Sequence, residues 1–367
     1  MLCVLLFCIS VRAEEIPLSS TSAVVMEADS GEVLYAKDAH TARPMASTTK
    51  LMTALLAVEQ LPLDTEITVT SEAVAVEGSA LGLQAGDTIS LSDLLTGLLL
   101  ESGNDAANVT AQAVAGDLPA FASLMNAKAA TLGMHDSGFV TPSGLDAEGH
   151  AASAHDMALL GCAVLKNPFL REICATKSTK IFFGNPKREV WVSNHNRLLK
   201  LSEDCIGLKT GFTKKSGRCL VSAAQKDGVT IVAATLNGGD YWNDHLKLYT
   251  YAFSQLERVQ LSAPTLQPLA VAGGETACVE LTTAQPGAVT LKKSDSDTAH
   301  LTVQLPSFVW APIEEGDTVG TVTYYYGTDK TEVLPITATR SIAARPRASL
   351  HSRFFKNLKE IVWMFFK

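Results

Sequence analysis

Strand signals stand at both ends of the first 258 residues, with helical signals between them. Near the start, residues 23–28 (AVVMEA) read as a strand, Asp29-Ser30-Gly31 as a turn, and residues 33–36 as the hairpin partner. At the far end, residues 207–213, 218–224 and, past an Asp227-Gly228 turn, 229–236 are three consecutive strand signals, and apolar Tyr249, Phe253 and Leu256 predict a closing helix. A sheet gathered from such distant pieces must close around everything between them. The predicted class is therefore α+β: a mainly antiparallel sheet flanked by helices, with a helical subdomain inserted.

Within the insert, Pro44 stops what precedes it. From Ser47 onward Leu51, Ala54, Leu55 and Val58 recur at helical spacing. Ser47 thus stands at or near a helix N-terminus, where backbone N–H groups lack intrahelical partners and a developing anion is favoured. Lys50 lies one turn on, on the same face. A lysine amine can take a serine proton only while neutral, which requires burial or a second nearby cation. Strand-like stretches around residues 67–70 and 88–90 follow, and Ser90-x-x-Asp93 is a capping box opening an apolar helix through Leu100. Ser102-Gly103-Asn104 breaks that helix before another over residues 106–114. Such a turn can project Ser102 and Asn104 into a cleft, or simply join two helices. Residues 121–132 form a further helix ended by Gly133, and Ser153-x-x-Asp156 caps one running to about residue 164. His150 and His155 have no metal-ligand spacing around them and read as structural.

Ser47-x-x-Lys50 alone is expected by chance about once in a chain of this length. Ser102-Gly103-Asn104 and Lys209-Thr210-Gly211 are each expected in roughly one chain in ten or fewer. All three in this order are the motif set of penicillin-binding proteins and class A β-lactamases. The chain resembles the low-molecular-mass penicillin-binding proteins, specifically serine-type D-alanyl-D-alanine carboxypeptidases of the peptidase S11 kind, whose Ser-Gly-Asn variant stands here. The stretch from Met125-Asn126 through Leu132-Gly133-Met134 to Gly144-Leu145 and His150 is similar to the same family.

The resemblance implies a role for each motif residue. Ser47 attacks the carbonyl of the terminal D-Ala–D-Ala bond, Lys50 is its base, Ser102 relays a proton to the leaving amine, and Asn104 orients Lys50 and the substrate amide. Lys209 and Thr210 hold the substrate's free carboxylate on a strand that continues through Gly211 and Phe212. The N–H groups of Ser47 and Phe212 form the oxyanion hole. The implied partners are a peptidoglycan stem peptide ending in D-Ala-D-Ala and β-lactam antibiotics, with no metal or other cofactor. Members of the family can carry a basic residue shortly after the third core strand that helps bind the substrate carboxylate. Here Asn237-Gly238-Gly239-Asp240-Tyr241-Trp242 has no Arg or Lys. The alternatives are a β-lactamase, for which a glutamate-bearing deacylation loop is not evident, a cross-link endopeptidase using the same site, and a non-catalytic penicillin- or wall-binding protein.

The net charge of −8 argues against nucleic acid as a partner. Residues 1–10 (MLCVLLFCIS) are an apolar run too short to span a bilayer, and Val11-Arg12-Ala13 fits a signal peptidase site, so residues 1–13 read as a signal peptide. Beyond it stand Cys162, Cys174, Cys205, Cys219 and Cys278, an odd, widely spaced set that reads as buried thiols. The catalytic domain is expected over 14–258. Residues 259–340, rich in Val and Thr with Gly and Asp turns, read as a small all-β domain like that of the same carboxypeptidases. In residues 341–367, Leu350, Phe354, Phe355, Leu358, Ile361 and Val362 make an apolar face beside Arg345, Arg347, Arg353, Lys356 and Lys359. This predicts an amphipathic helix lying on a membrane surface, and with the leader it places the protein on the outer face of the bacterial cytoplasmic membrane.

Overall fold

Every residue of β1 (Ser22–Glu27) is buried, and successive side chains serve opposite faces of the sheet. Ala23 and Val25 enter one hydrophobic cluster, Val24 and Met26 another. The chain, described in this computed structural model over residues 15–327 and 330–346, continues through β2 (Val33–Lys37), a 3-10 turn (Ala46–Thr49) and α1 (Lys50–Gln60). Next come β3 (Glu66–Thr68), α2 (Ser71–Val74), β4 (Thr88–Ser90), α3 (Leu91–Leu100), α4 (Asn104–Ala115), α5 (Leu118–Thr131), α6 (Ala154–Leu165) and α7 (Pro168–Ala175). The hairpin β5 (Ser178–Gly184) and β6 (Lys187–Ser193) and the one-turn α8 (Leu198–Leu201) lead to β7 (Cys205–Thr213), β8 (Gly217–Lys226), β9 (Val229–Gly238) and α9 (Tyr241–Gln255).

The main sheet has the order β2-β1-β9-β8-β7 and is antiparallel throughout. The two ends of the unit therefore meet in one sheet, with β1 against β9. One face packs Leu220, Ala224, Ile231 and Ala233 against Leu248, Tyr249 and Ala252 of α9. The other packs Val221, Ala223, Val232 and Ala234 into the large core with α1 and α6. A second antiparallel sheet, β3-β4-β5-β6, borders the helical insert. β7 is an edge strand, and an edge presents backbone groups with which an extended ligand can pair.

The local signals resolve as physical caps. The Ser90 hydroxyl accepts from the Asp93 N–H and the Ser153 hydroxyl from the Asp156 N–H, opening α3 and α6. Gly133 ends α5 with φ +75°. Three readings change. Helix α9 begins at Tyr241, well before the expected apolar residues, because its first two turns bury the polar Asp244 and His245 and so carry little apolar periodicity. Helix α7 and the hairpin β5–β6, absent from the sequence reading, occupy residues 168–193. Cys278 is exposed, whereas Cys162, Cys174, Cys205 and Cys219 are buried free thiols.

The chain divides into two compact units after Leu256. In the second, a four-stranded sheet is built from Leu281–Thr283, Lys330–Ala338, Thr318–Tyr326 and His300–Gln304 in that order. A three-stranded sheet joins Cys278–Val279, Leu269–Ala272 and Val309–Trp310. Its helical content among the described residues is one 3-10 turn, Lys293–Thr298. The amphipathic helix expected over 341–367 does not begin at 341: Ile342 is buried and bridges Ile313, and Ala344 bridges Gly274, so these residues belong to the β unit. The rest of that expected helix, beyond residue 346, and the expected leader lie outside the described residues.

Candidate active site

The 3-10 turn Ala46–Thr49 carries Ser47 to the start of α1, so that Lys50 follows as the first α-helical residue. Ala46 has φ +49°, a left-handed conformation that costs a residue with a Cβ and is held here by its surroundings. Two backbones press on this turn. A Cβ at Gly211 of β7 would lie 2.9 Å from the Ser47 nitrogen and 3.0 Å from that of Thr48. A Cβ at Gly144 would lie inside contact distance of the Ala46 carbonyl oxygen. Glycine at 211 thus leaves open a space facing the Ser47 N–H, where an oxyanion would sit.

Lys50 is fully buried, and its Nζ lies 2.9 Å from Ser47 Oγ, 2.7 Å from Asn104 Oδ1 and 2.7 Å from the Ser143 carbonyl oxygen. Burial pushes its pKa well below the ordinary 10.5, the Lys209 charge pushes further in the same direction, and Asp105 opposes both. A neutral amine has two protons and one lone pair. The Asn104 and Ser143 oxygens can only accept, so they take the two N–H donors. The lone pair is left for the Ser47 hydroxyl, which then donates to Nζ.

Several groups hold this arrangement. Asn104 Nδ2 donates to the Glu77 carbonyl at 2.7 Å, which turns its oxygen toward Lys50. Asp105, which the sequence reading passed over, is buried beside it. Its carboxylate accepts from the backbone N–H groups of Leu81, Gly82, Leu83 and Ala106 at 2.8–3.1 Å and pins the loop over the site. Its position immediately after the Ser-Gly-Asn turn, at the head of α4, was the available signal. Ser143 was likewise missed, because it acts through its backbone carbonyl. Thr53 Oγ1 donates to the Pro142 carbonyl at 2.7 Å and holds the same loop. His150, read as structural, is buried. Its Nδ1 accepts from the Val140 N–H at 3.0 Å, its Nε2 lies 2.9 Å from Thr49 Oγ1, and burial lowers its pKa to about 4.

Ser102 is buried and left-handed, with φ +64°. It makes no hydrogen bond to Ser47 or Lys50 among the described residues. Lys209 is buried on β7, where its Nζ donates to the Thr210 carbonyl at 3.2 Å. Burial lowers its pKa to about 8, against a raising influence from Cys174 and Glu101. Thr210 is half-buried on the same strand, and Phe212 is 64% exposed. No group of His, Cys, Asp and Glu among the described residues could hold a metal ion.

A serine hydroxyl 2.9 Å from a buried lysine amine whose pKa is held down, beside an open N–H pocket and an edge strand bearing a second lysine, is the machinery of acyl transfer through a covalent serine ester. The profile of the D-alanyl-D-alanine carboxypeptidase family (peptidase S11) matches residues 9–240, and that of the penicillin-binding protein 5 C-terminal domain matches residues 264–344. The chain belongs to this carboxypeptidase family and is a serine-type D-alanyl-D-alanine carboxypeptidase. It is 31% identical over 322 residues to D-alanyl-D-alanine carboxypeptidase DacF of Bacillus subtilis, covering 85% of this chain and 82% of the relative. It is 32% identical over 338 residues to DacC of Escherichia coli, covering 87% and 83%. The crystal structure of the carboxypeptidase DacD from Francisella tularensis superposes with a TM-score of 0.64 at 25% identity, covering 91% of this chain and 96% of that one.

Proposed function

We propose that the enzyme removes the terminal D-alanine from peptidoglycan stem peptides with the following division of labour. Ser47 Oγ attacks the penultimate carbonyl as its proton passes to Lys50 Nζ. The Ser47 and Phe212 N–H groups receive the developing oxyanion. Ser102 passes a proton to the departing D-alanine amine, Asn104 keeps Lys50 aligned, and Lys209 with Thr210 holds the terminal carboxylate. Water then attacks the ester and frees Ser47. A β-lactam reaches the same serine because its strained amide stands in for the peptide bond.

The observation that carries this reading is the hydrogen-bond inventory at Lys50, where two acceptor-only oxygens leave the lone pair facing the nucleophile. The test is release of free D-alanine from a peptide ending in Lys-D-Ala-D-Ala, with Ser47→Ala alongside. Release by the parent and none by the variant supports the assignment. Full release by Ser47→Ala removes it.

The same proposal extends to location. The apolar leader and the basic, apolar C-terminal stretch support export and attachment to the outer face of the cytoplasmic membrane. No helix among the described residues is long and apolar enough to cross a membrane.

A further inference from the structure

A substrate ending in a free carboxylate needs a cation at the end of the cleft, and the loop after β9 has none. The register of β7 and β8 supplies one from another strand. Lys209 stands opposite Val221, Thr210 opposite Leu220, Gly211 opposite Cys219, and Phe212 opposite Arg218. Val221 and Cys219 enter the core shared with α1, and Leu220 enters the core under α9. Side chains alternate along a strand, so Thr210, Phe212 and Arg218 share the face that looks away from Lys50. The register shift nearby falls in the pairing of β8 with β9, between Arg218 and Leu220, and the pairing of β7 with β8 runs unbroken from Gly207 to Thr213.

Thr210 and Arg218 are therefore diagonal neighbours on adjacent strands, a separation of roughly 7–8 Å that a long side chain bridges. Arg218 is exposed and makes no ion pair among the described residues. Asp146, the acid beside this strand, already accepts from Thr213 Oγ1 at 3.2 Å. The field of Arg218 reaches Tyr241 at the head of α9, where Arg197 adds to it. A guanidinium also stays charged at any pH at which the enzyme works, which the buried amine of Lys209 does not.

We propose that the Arg218 guanidinium reaches along the β7 edge past Thr210 and binds the terminal carboxylate of the substrate, making this arginine a determinant of selectivity for peptides with a free C-terminus. Lys209 and Thr210 would meet that carboxylate from the strand itself, and the planar fork of Arg218 would close over it. This rests on the carboxypeptidase reading above.

The experiment compares parent, Arg218→Ala and Arg218→Lys on matched ligands with and without the carboxylate. D-alanine release is measured from a peptide ending in D-Ala-D-Ala, and cleavage from the same peptide as its C-terminal amide. Acylation of Ser47 is followed with benzylpenicillin and with its methyl ester. Arg218→Ala should lower kcat/KM for the carboxylate ligands by about 10- to 100-fold, mostly through KM, and leave the uncharged ligands at their parental rates. Arg218→Lys should recover part of the loss. Equal losses on charged and uncharged ligands, or no loss on either, overturn the proposal. A parent that releases no D-alanine removes the carboxypeptidase reading, and the pair of penicillins then still decides the role of Arg218. A thermal melt shows whether each variant is folded.

Discussion

Replacing Lys209 by methionine should stabilise this enzyme while disabling it. Lys209 is 1% exposed, and its pKa falls from the ordinary 10.5 to about 8. At about 1.36 kcal/mol for each step of one in pKa, that gap of roughly 2.5 means burial of the ammonium costs about 3 kcal/mol. The sign follows from proton counting. Between about 8 and 10.5 the unfolded chain holds this proton and the folded chain has released it, so stability rises with pH across that window. The full cost is present below it. Methionine fills nearly the same volume without charge, but leaves the Thr210 carbonyl without its donor, at about 1–2 kcal/mol. The net expectation at pH 7 is a gain of roughly 1–2 kcal/mol, or about 2–6 °C in Tm for a unit of this size. That advantage should shrink when the melts are repeated near pH 10. In the same preparations D-alanine release should drop by about 10- to 100-fold through the lost charge-assisted contact with the carboxylate. A variant less stable than the parent at pH 7, or a stability difference that does not change with pH, would refute the electrostatic account.

The remaining expectations concern the serine and its base, the main chain around them, and the C-terminal stretch. The rate of Ser47 acylation should rise with pH as Lys50 loses its proton, and kcat/KM for D-alanine release should fall again above about pH 8 as Lys209 does, read from a full pH–rate profile. A carboxylate bound beside Lys209 should shift the alkaline limb of kcat to higher pH than that of kcat/KM. Gly211→Ala puts a methyl group 2.9 Å from the Ser47 nitrogen and should slow penicillin acylation by roughly 100- to 1000-fold; a loss under tenfold would place the oxyanion elsewhere. Asp105→Ala strands four backbone N–H groups and should lower stability by about 2–4 kcal/mol in denaturant melts, along with activity. A chain ended after Pro346, which keeps the buried Ile342, should leave the membrane pellet on fractionation, and its retention there would rule out the C-terminal stretch as the anchor.

Much of the fold was legible because its signals are local. Serine hydroxyls three residues before Asp93 and Asp156 announce α3 and α6, and short continuous apolar runs bounded by turn residues announce β8 and β9. The hairpin β5–β6 was not legible. Its outer face carries Lys180, Phe182, Glu189 and exposed Trp191, and its apolar alternation is interrupted by charge. At the site, Ser47, Lys50, Asn104 and Lys209 could be named because side chains act there. Ser143 and Gly144 could not, because they act through a carbonyl oxygen and through the lack of a Cβ. Arg218 was invisible for a third reason: what brings it beside Thr210 is strand register, a long-range property that no window of sequence contains.

The close approach of Gly211 and Gly144 to the turn at Ala46 and Ser47 also bears on how such an enzyme can change. Around the nucleophile the wall is main chain, and no exchange of residues alters a peptide group. Substitution at either glycine adds bulk where none fits, so inherited variation has no purchase there. A lineage under selection by β-lactams would have to work from farther out, on the side chains of the loops over residues 77–83 and 141–146 and on the face of β7 and β8 that bears Phe212 and Arg218. Those side chains can be exchanged without moving the main-chain wall, and there a change could refuse one ligand while another is still admitted.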